Sequence, residues 1–335
     1  MQKSLFLILA AMLTLPFAAL AQVSSGYNVK KVFHIASPGG WDYITADPNS
    51  NRLYVSHGLQ VNILNKTTGD SLGVIANTTG VHGIALVQPL GKGYTSNGRL
   101  NNVTEFDLKT GEVLRQIAAG ENPDAIMYDS YSKKIITCNG RSHDLSVIDP
   151  VKGQVVATIP VGGKPETAVS DGAGKIFVNI EDKNEIAAVE ITTGKVIAHW
   201  PIAPAEGPTG LAIDRKTHRI FAGCEKKLVI LNTDNGKVVT TMAIGEGCDG
   251  VGFDAGRNLV FASCGEGVLS VIKEETGDKY TLLENVATKK GARTIAIDEA
   301  THNIYLPTAD FGAPPAGGGR PPMLAGTFQV LMVSK

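Results

Sequence analysis

The sequence predicts an all-β fold, a seven-bladed β-propeller with four antiparallel strands per blade, on three observations. An aromatic or branched residue opens a short β-rich run in each of seven units: Tyr54, Tyr94, Ile136, Phe177, Phe221, Phe261 and Tyr305. A turn glycine follows in the first six: Gly69, Gly111, Gly153, Gly194, Gly236 and Gly277, at steps of 42, 42, 41, 42 and 41 residues. The period, about 42 residues with several short strands in each unit, is the third: a repeat of this size is one sheet that cannot bury its faces alone.

The chain opens with Lys3, an apolar stretch from Leu5 to Leu20 and the small-residue motif Ala19-Leu20-Ala21. That order predicts a signal peptide over residues 1–21, cleaved to leave Gln22 first. No cysteine stands at the cleavage point and Pro16 interrupts the apolar stretch, which argues against a lipid anchor or a retained span. The expectation is an exported chain, periplasmic or secreted, acting as a monomer without a membrane span. Removing 21 of 335 residues leaves 314, enough for seven four-stranded blades and little else. Losing Lys3 takes the formal net charge from −1 to −2, and no basic run is present, so nucleic acid is not an expected partner.

Within the sixth unit, Gly250–Asp254 reads as the innermost strand and Leu259–Ser263 as the second. Leu269–Ile272 is the third, Glu275-Thr276-Gly277-Asp278 the outer turn and Tyr280–Leu283 the outer strand. Gly277 supplies the freedom for a positive φ. The other units follow the same order. The seventh has Thr294–Asp298, Ile304–Leu306 and Phe328–Val333 but no outer turn. Its missing strand is expected from the other end of the chain, Val29–Ile35, which would close the ring and pair an otherwise open edge.

The second strands read Tyr54-Val55-Ser56-His57, Tyr94-Thr95-Ser96-Asn97, Ile136-Thr137-Cys138-Asn139 and Phe177-Val178-Asn179. These resemble the signature of the YVTN-repeat β-propeller family, itself similar to phosphogluconolactonase-type propellers. The later units drift to Phe221-Ala222-Gly223-Cys224 and Tyr305-Leu306-Pro307-Thr308. The resemblance implies a seven-bladed propeller, usually exported and often without an assigned activity. It brings no catalytic residue to a position here. WD40 and kelch patterns fit worse, since the only tryptophans are Trp41 and Trp200.

Aligning the first strands on their last residues gives Asp47, Val87, Asp129, Asp171, Asp214, Asp254 and Asp298. Aspartate at a strand-to-turn junction caps the turn backbone. Five positions earlier stand Asp42, His82, Asp124, Glu166, Thr209, Asp249 and Arg293, which sevenfold geometry sets at one level around the axis. The ends of the second strands approach the same face with His57, Asn97, Asn139, Cys224 and Cys264, and the following loops add charges such as Arg99, Glu181 and Asp310. A concave mouth with convergent polar groups is the ligand site to expect.

Four carboxylates at one level should raise one another's pKa values unless a cation compensates. Three readings stay open. A Ca²⁺ ion sits among Asp124, Glu166 and Asp249 with Asn139 nearby; a ligand carboxylate pairs with Arg293; or each side chain hydrogen-bonds the neighbouring blade. His57 and His82, from adjacent units, offer a transition metal a site with Asp42 or Asp124, without tight ligand spacing. Cys248 begins one strand and Cys264 ends the next, making that pair the favoured disulfide, with Cys224–Cys248 next; the alternative for Cys138, Cys224, Cys248 and Cys264 alike is a buried, small apolar thiol. The segment 311–327, with Pro314-Pro315, Gly317-Gly318-Gly319 and Pro321-Pro322, must emerge on the polar face without regular structure, either as a lid or partner loop or as a tolerated surface insertion.

No sequential catalytic motif is present. The favoured function is a non-enzymatic module that binds a small molecule or protein at the channel mouth. The alternative is a lactonase-like hydrolase. There a cation or Arg293 polarises the carbonyl, and His82 or a ring carboxylate such as Asp249 activates water. A quinoprotein-type dehydrogenase is a weak third.

Overall fold

The computed structural model describes residues 24–315, 317–319 and 321–335, so the expected signal segment lies outside the described residues. Seven four-stranded antiparallel sheets form the ring. In blade one, from the axis outward, the strands are Trp41–Ala46, Arg52–His57, Gln60–Asn65 and Ser71–Ile75. The second strand is covered on both faces by its own and neighbouring blades, which is why the repeat markers are large and apolar. Tyr54, Tyr94, Ile136, Phe177, Phe221, Phe261 and Tyr305 are all fully buried. Between blades four and five, for example, Phe177, Ile186 and Ala188 pack on Leu211, Ile220 and Val229. The core is thus a set of inter-blade layers rather than one central cluster.

Side chains also stitch each blade to the next near the axis. Thr45 Oγ1 donates to Ile84 O, Ser96 Oγ to Asp124 O, and Ser170 Oγ to Asp129 Oδ1. Asn179 Nδ2 donates to Thr209 O and Gly210 O, Thr209 Oγ1 to Cys248 O, Ser263 Oγ to Arg293 O, and Thr294 Oγ1 to Asp42 O. Every one of the seven interfaces carries such a bond, so the ring is joined by polar contacts where apolar burial is thinnest.

Closure uses the two ends of the chain. Asn28–His34 is the outer strand of the last blade, antiparallel to Gln329–Ser334, with Asn28 opposite Ser334 and His34 opposite Gln329. The lead-in also grips blade six: Ser25 N and Oγ donate to the Glu284 carboxylate at 2.7 and 2.6 Å. Tyr27 stands edge-on to Phe261, ring centres 5.2 Å apart, and Arg257 Nη1 donates to its hydroxyl.

The outer turns of blades one to five place Gly69, Gly111, Gly153, Gly194 and Gly236 at φ of 81, 80, 66, 64 and 71°, where a side chain would be strained. Gly277 differs from expectation and lies outside that region. Its flanking strands, Val268–Thr276 and Lys279–Ala287, run longer than the sequence suggested and meet in a tight hairpin with Thr276 opposite Lys279. The innermost strand of blade seven is shorter than predicted, Ala296–Asp298. The junction aspartates do cap turns: Asp47 accepts from Asn49 N, Asp214 from Lys216 N and Asp171 from Ala173 N. In blade two Val87 leads instead into a 3-10 turn at Gln88–Leu90, and Gln88 reaches back to Asp47.

Candidate functional site

The polar ring owes its aim to irregular backbone. The pairing of first and second strands slips between Trp41 and Ile44, Val81 and Ile84, Pro123 and Ile126, Pro165 and Ala168, and Cys248 and Gly250. Each slip contains a ring residue, and a bulge of this kind re-aims a side chain that regular pleating would send elsewhere. The next-to-last residue of the second strand fixes two of these bulges. Ser56 Oγ accepts from Asp42 N and donates to Tyr43 O, while Ser96 Oγ accepts from Gly83 N and donates to Asp124 O.

The ring resolves into separate groups. His82 Nδ1 lies 2.6 Å from Asp42 Oδ2 and 3.7 Å from Asp124 Oδ1. Lys164, which the sequence reading overlooked, lies 2.5 Å from Glu166 Oε1 and also bonds Glu181. Arg293 Nη1 lies 2.7 Å from Asp249 Oδ2. The Thr209 hydroxyl is taken by Cys248 O at 2.6 Å. Glu166 and Asp249 therefore each face their own cation, and the trio Asp124, Glu166 and Asp249 suggested for Ca²⁺ is divided by these pairings. Among the described residues, the set whose ligand atoms converge, all within 4.8 Å of one another, is Asp42, His82 and Asp124.

Burial and mutual charge shift these groups strongly. Desolvation works against the His82 imidazolium, but the hydrogen bond to Asp42 and the charges of Asp124 and Asp42 prevail and raise it to about 9. Burial, with Asp42 adding to it, pushes Asp124 up to about 7. Burial and the Asp124 charge outweigh the Lys164 ammonium and push Glu166 up to about 8. Burial also raises Asp249, with Arg293 opposing.

The five second-strand residues expected at the mouth are buried instead, the cysteines Cys224 and Cys264 among them. His57, Asn97 and Asn139 are fully buried within the sheets. His57 shares hydrogen bonds with Ser37 and Gly39 O and stacks on Phe328 at 4.1 Å, and burial lowers its pKa. Asn97 bonds Asn102 and Thr104, and Asn139 bonds Asp144 and Ser146. Strand alternation decides this: the side chain after the bulge-pinning position points between the sheets, where an amide or imidazole is satisfied by the third strand. A metal site joining His57 to His82 does not form. Cys248 and Cys264 are register partners, as expected, yet all four cysteines are buried free thiols. The Cys248 and Cys264 sulfurs instead contact Gly250 O at 3.7 Å and Ala262 O at 3.6 Å.

Tyr43 is the second residue the sequence reading missed. From blade one it crosses the bore to blade four, where its hydroxyl lies 3.2 Å from Thr167 Oγ1 and its ring packs on the core of blades three and four. Burial and the charges of Asp124, Asp42 and Glu166 hold its phenol well above the usual range. The signal was present: the same column holds only Gly83, Ala125, Thr167, Gly210, Gly250 and Thr294 in the other blades.

The described residues of the segment 311–327 fold back over this face. Phe311 and Met323 form a β-bridge, Gly312 N donates to Pro322 O and Leu324 N to Asp310 O, both at 2.8 Å, so its base is paired rather than irregular. Phe311 sits on Gly291, where a Cβ would lie 2.7 Å from the ring, and 5.9 Å from the Trp41 ring. Beneath it is a cavity of about 690 Å³ walled by Trp41, Phe311, Pro321 and Met323, with Lys290 and Arg293 beside them. Glycine backbone at Gly247 and Gly265 leaves the room.

No family model matches the chain, and no curated protein does. Among solved structures it is similar to a chain of Kuenenia stuttgartiensis hydrazine synthase, with a TM-score of 0.71 and 15% identity. The match covers 82% of this chain and 94% of that one. At that identity the likeness is one of fold, a seven-bladed propeller, and of fold alone.

Proposed function

We propose that the chain is an exported, YVTN-type binding propeller that holds a small organic anion at the mouth of its channel. One observation carries the reading: the cavity of about 690 Å³ between Trp41, Phe311 and Met323, with two cationic side chains in its wall. That volume suits a small-molecule site, which is mostly apolar with a few polar groups that fix orientation. Flat aromatic walls favour a planar apolar body, and Lys290 and Arg293 favour a carboxylate on it. Among the described residues Lys290 has no ion-pair partner, and Arg293 has only Asp249.

The test is calorimetry and thermal shift with aryl carboxylates such as 2-naphthoate, using the matching alcohols as controls, on protein taken from the exported fraction and starting at Gln22. A charge-assisted hydrogen bond contributes about 1.5–3 kcal/mol, so Arg293→Ala should weaken the carboxylates roughly 10- to 100-fold and leave the alcohols unchanged. Equal response of acids and alcohols would sink the assignment.

Lactone hydrolysis is the second reading, and the Asp42–His82 contact at 2.6 Å favours it as an oriented imidazole. The surrounding charge weighs the other way. An imidazole raised to about 9 is protonated at neutral pH and serves as an acid, not as the base that activates water.

A further inference from the structure

We propose that Asp42, His82 and Asp124 form a binding site for a divalent first-row transition metal ion, of the Zn²⁺ or Co²⁺ kind, across the innermost strands of blades one to three. Three consecutive blades each supply one ligand, and the ligand atoms lie within 4.8 Å of one another. One imidazole with two carboxylates suits these ions, whereas Ca²⁺ takes six to eight oxygens.

Two further observations support a metal over a simple ion triad. The first is preorganisation. All three ligands sit at bulges in their strands, and Ser56 and Ser96 pin the backbone at Asp42 and Asp124 through the bonds described above. Ligand backbones held this way by supporting hydrogen bonds are a property of metal sites. The second is the Asp124 carboxylate. Its side chain is only 14% exposed, yet among the described residues no hydrogen bond reaches it. The His82 Nδ1–H is committed to Asp42 at 2.6 Å, and 3.7 Å to Asp124 is too long for a second bond. An ion bound between Asp124, Asp42 and the His82 imidazole takes the place of the proton shared with Asp42, which is released to solvent, and gives the Asp124 carboxylate the partner it lacks. The two remaining ring carboxylates do not compete, because Lys164 and Arg293 hold them.

The site is separate from the cavity under Phe311 and does not depend on the organic-anion reading. The experiment is a Co²⁺ titration of the mature chain, followed by visible absorption and by metal content after gel filtration. The expected result is about one ion per chain with a d–d band from a low-coordinate N/O site. That band should vanish in His82→Gln and fall at least tenfold in apparent affinity in Asp124→Asn, while Asp249→Asn and the exposed-site control His218→Ala keep it. Circular dichroism identifies any variant that has failed to fold; Asp124→Asn is isosteric and His82→Gln is close in side-chain size. No ion retained by the folded wild-type chain would overturn the proposal, and so would binding that both ligand variants leave unchanged.

Discussion

Tyr43 does at one position what no other blade does, and its consequences are local. The aromatic ring bridges blade one to blade four, and only small residues in the equivalent positions leave space for it. Tyr43→Phe removes one hydrogen bond and should cost about 1 kcal/mol. Tyr43→Ala removes the packing as well and should cost about 3–5 kcal/mol. Denaturant unfolding of the two variants measures the difference; equal losses would mean the ring itself contributes nothing. At the same scale, Glu166 carries a pH dependence. Its folded value is raised from 4.5 to about 8, chiefly by burial, so between those values the folded chain keeps a proton that the unfolded chain has lost. Its contribution is therefore present below 4.5, declines as pH rises and is gone above about 8. Glu166→Gln should flatten the fall in Tm between pH 5 and 8 by about 2 °C or more. An identical slope in variant and wild type would show that the group titrates normally.

At the scale of the element, the strand Asn28–His34 is the one whose removal should matter most. It leaves the sheet of the last blade with an unpaired third strand and takes with it Tyr27, which is buried against Phe261 and bonded to Arg257. Deleting Tyr27–Ile35 should lower Tm by more than 10 °C, on the order of several kcal/mol for a domain of this size, and expose an edge that associates. Thermal unfolding with gel filtration checks both effects, and an unchanged monomer would contradict the closure argument. The segment 311–327 is an element of another kind. It contributes Phe311 and Met323 to the cavity, with its base closed by the Gly312–Pro322 bond and its tip by a turn in which Gly318 N donates to Pro315 O. Its energetic role is therefore in the site more than in the ring.

The whole molecule is a ring whose seven interfaces each combine a buried aromatic or aliphatic layer with one polar stitch near the axis. Such a ring is stiff at its inner edge. That is the condition under which side chains from different blades keep fixed distances, as Asp42, His82 and Asp124 do. A fold shared with a chain of a hydrazine synthase at 15% identity says nothing about chemistry, because one propeller scaffold carries many unrelated sites.

The amino-acid sequence alone determined the number of blades, the order of strands, closure by the N-terminal strand and the column of residues at the channel mouth. A period near 42 residues repeated seven times overrides local ambiguity, and each marker has one physical duty: an aromatic between blades, a glycine in a left-handed turn, an aspartate capping a turn. The outlier Tyr43 was legible in its column and went unread. Only the tertiary structure decided which ring residues meet. Asp42, His82 and Asp124 lie 40 and 42 residues apart, and their contact depends on the rotation between blades and on backbone bulges that no local pattern announces. The same holds for Lys164 turning to Glu166, for His57, Asn97 and Asn139 turning inward, and for Phe311 coming to rest on Gly291. Periodicity fixes where a backbone goes; the direction of a side chain at a strand's irregular end is set by neighbours that arrive from another blade.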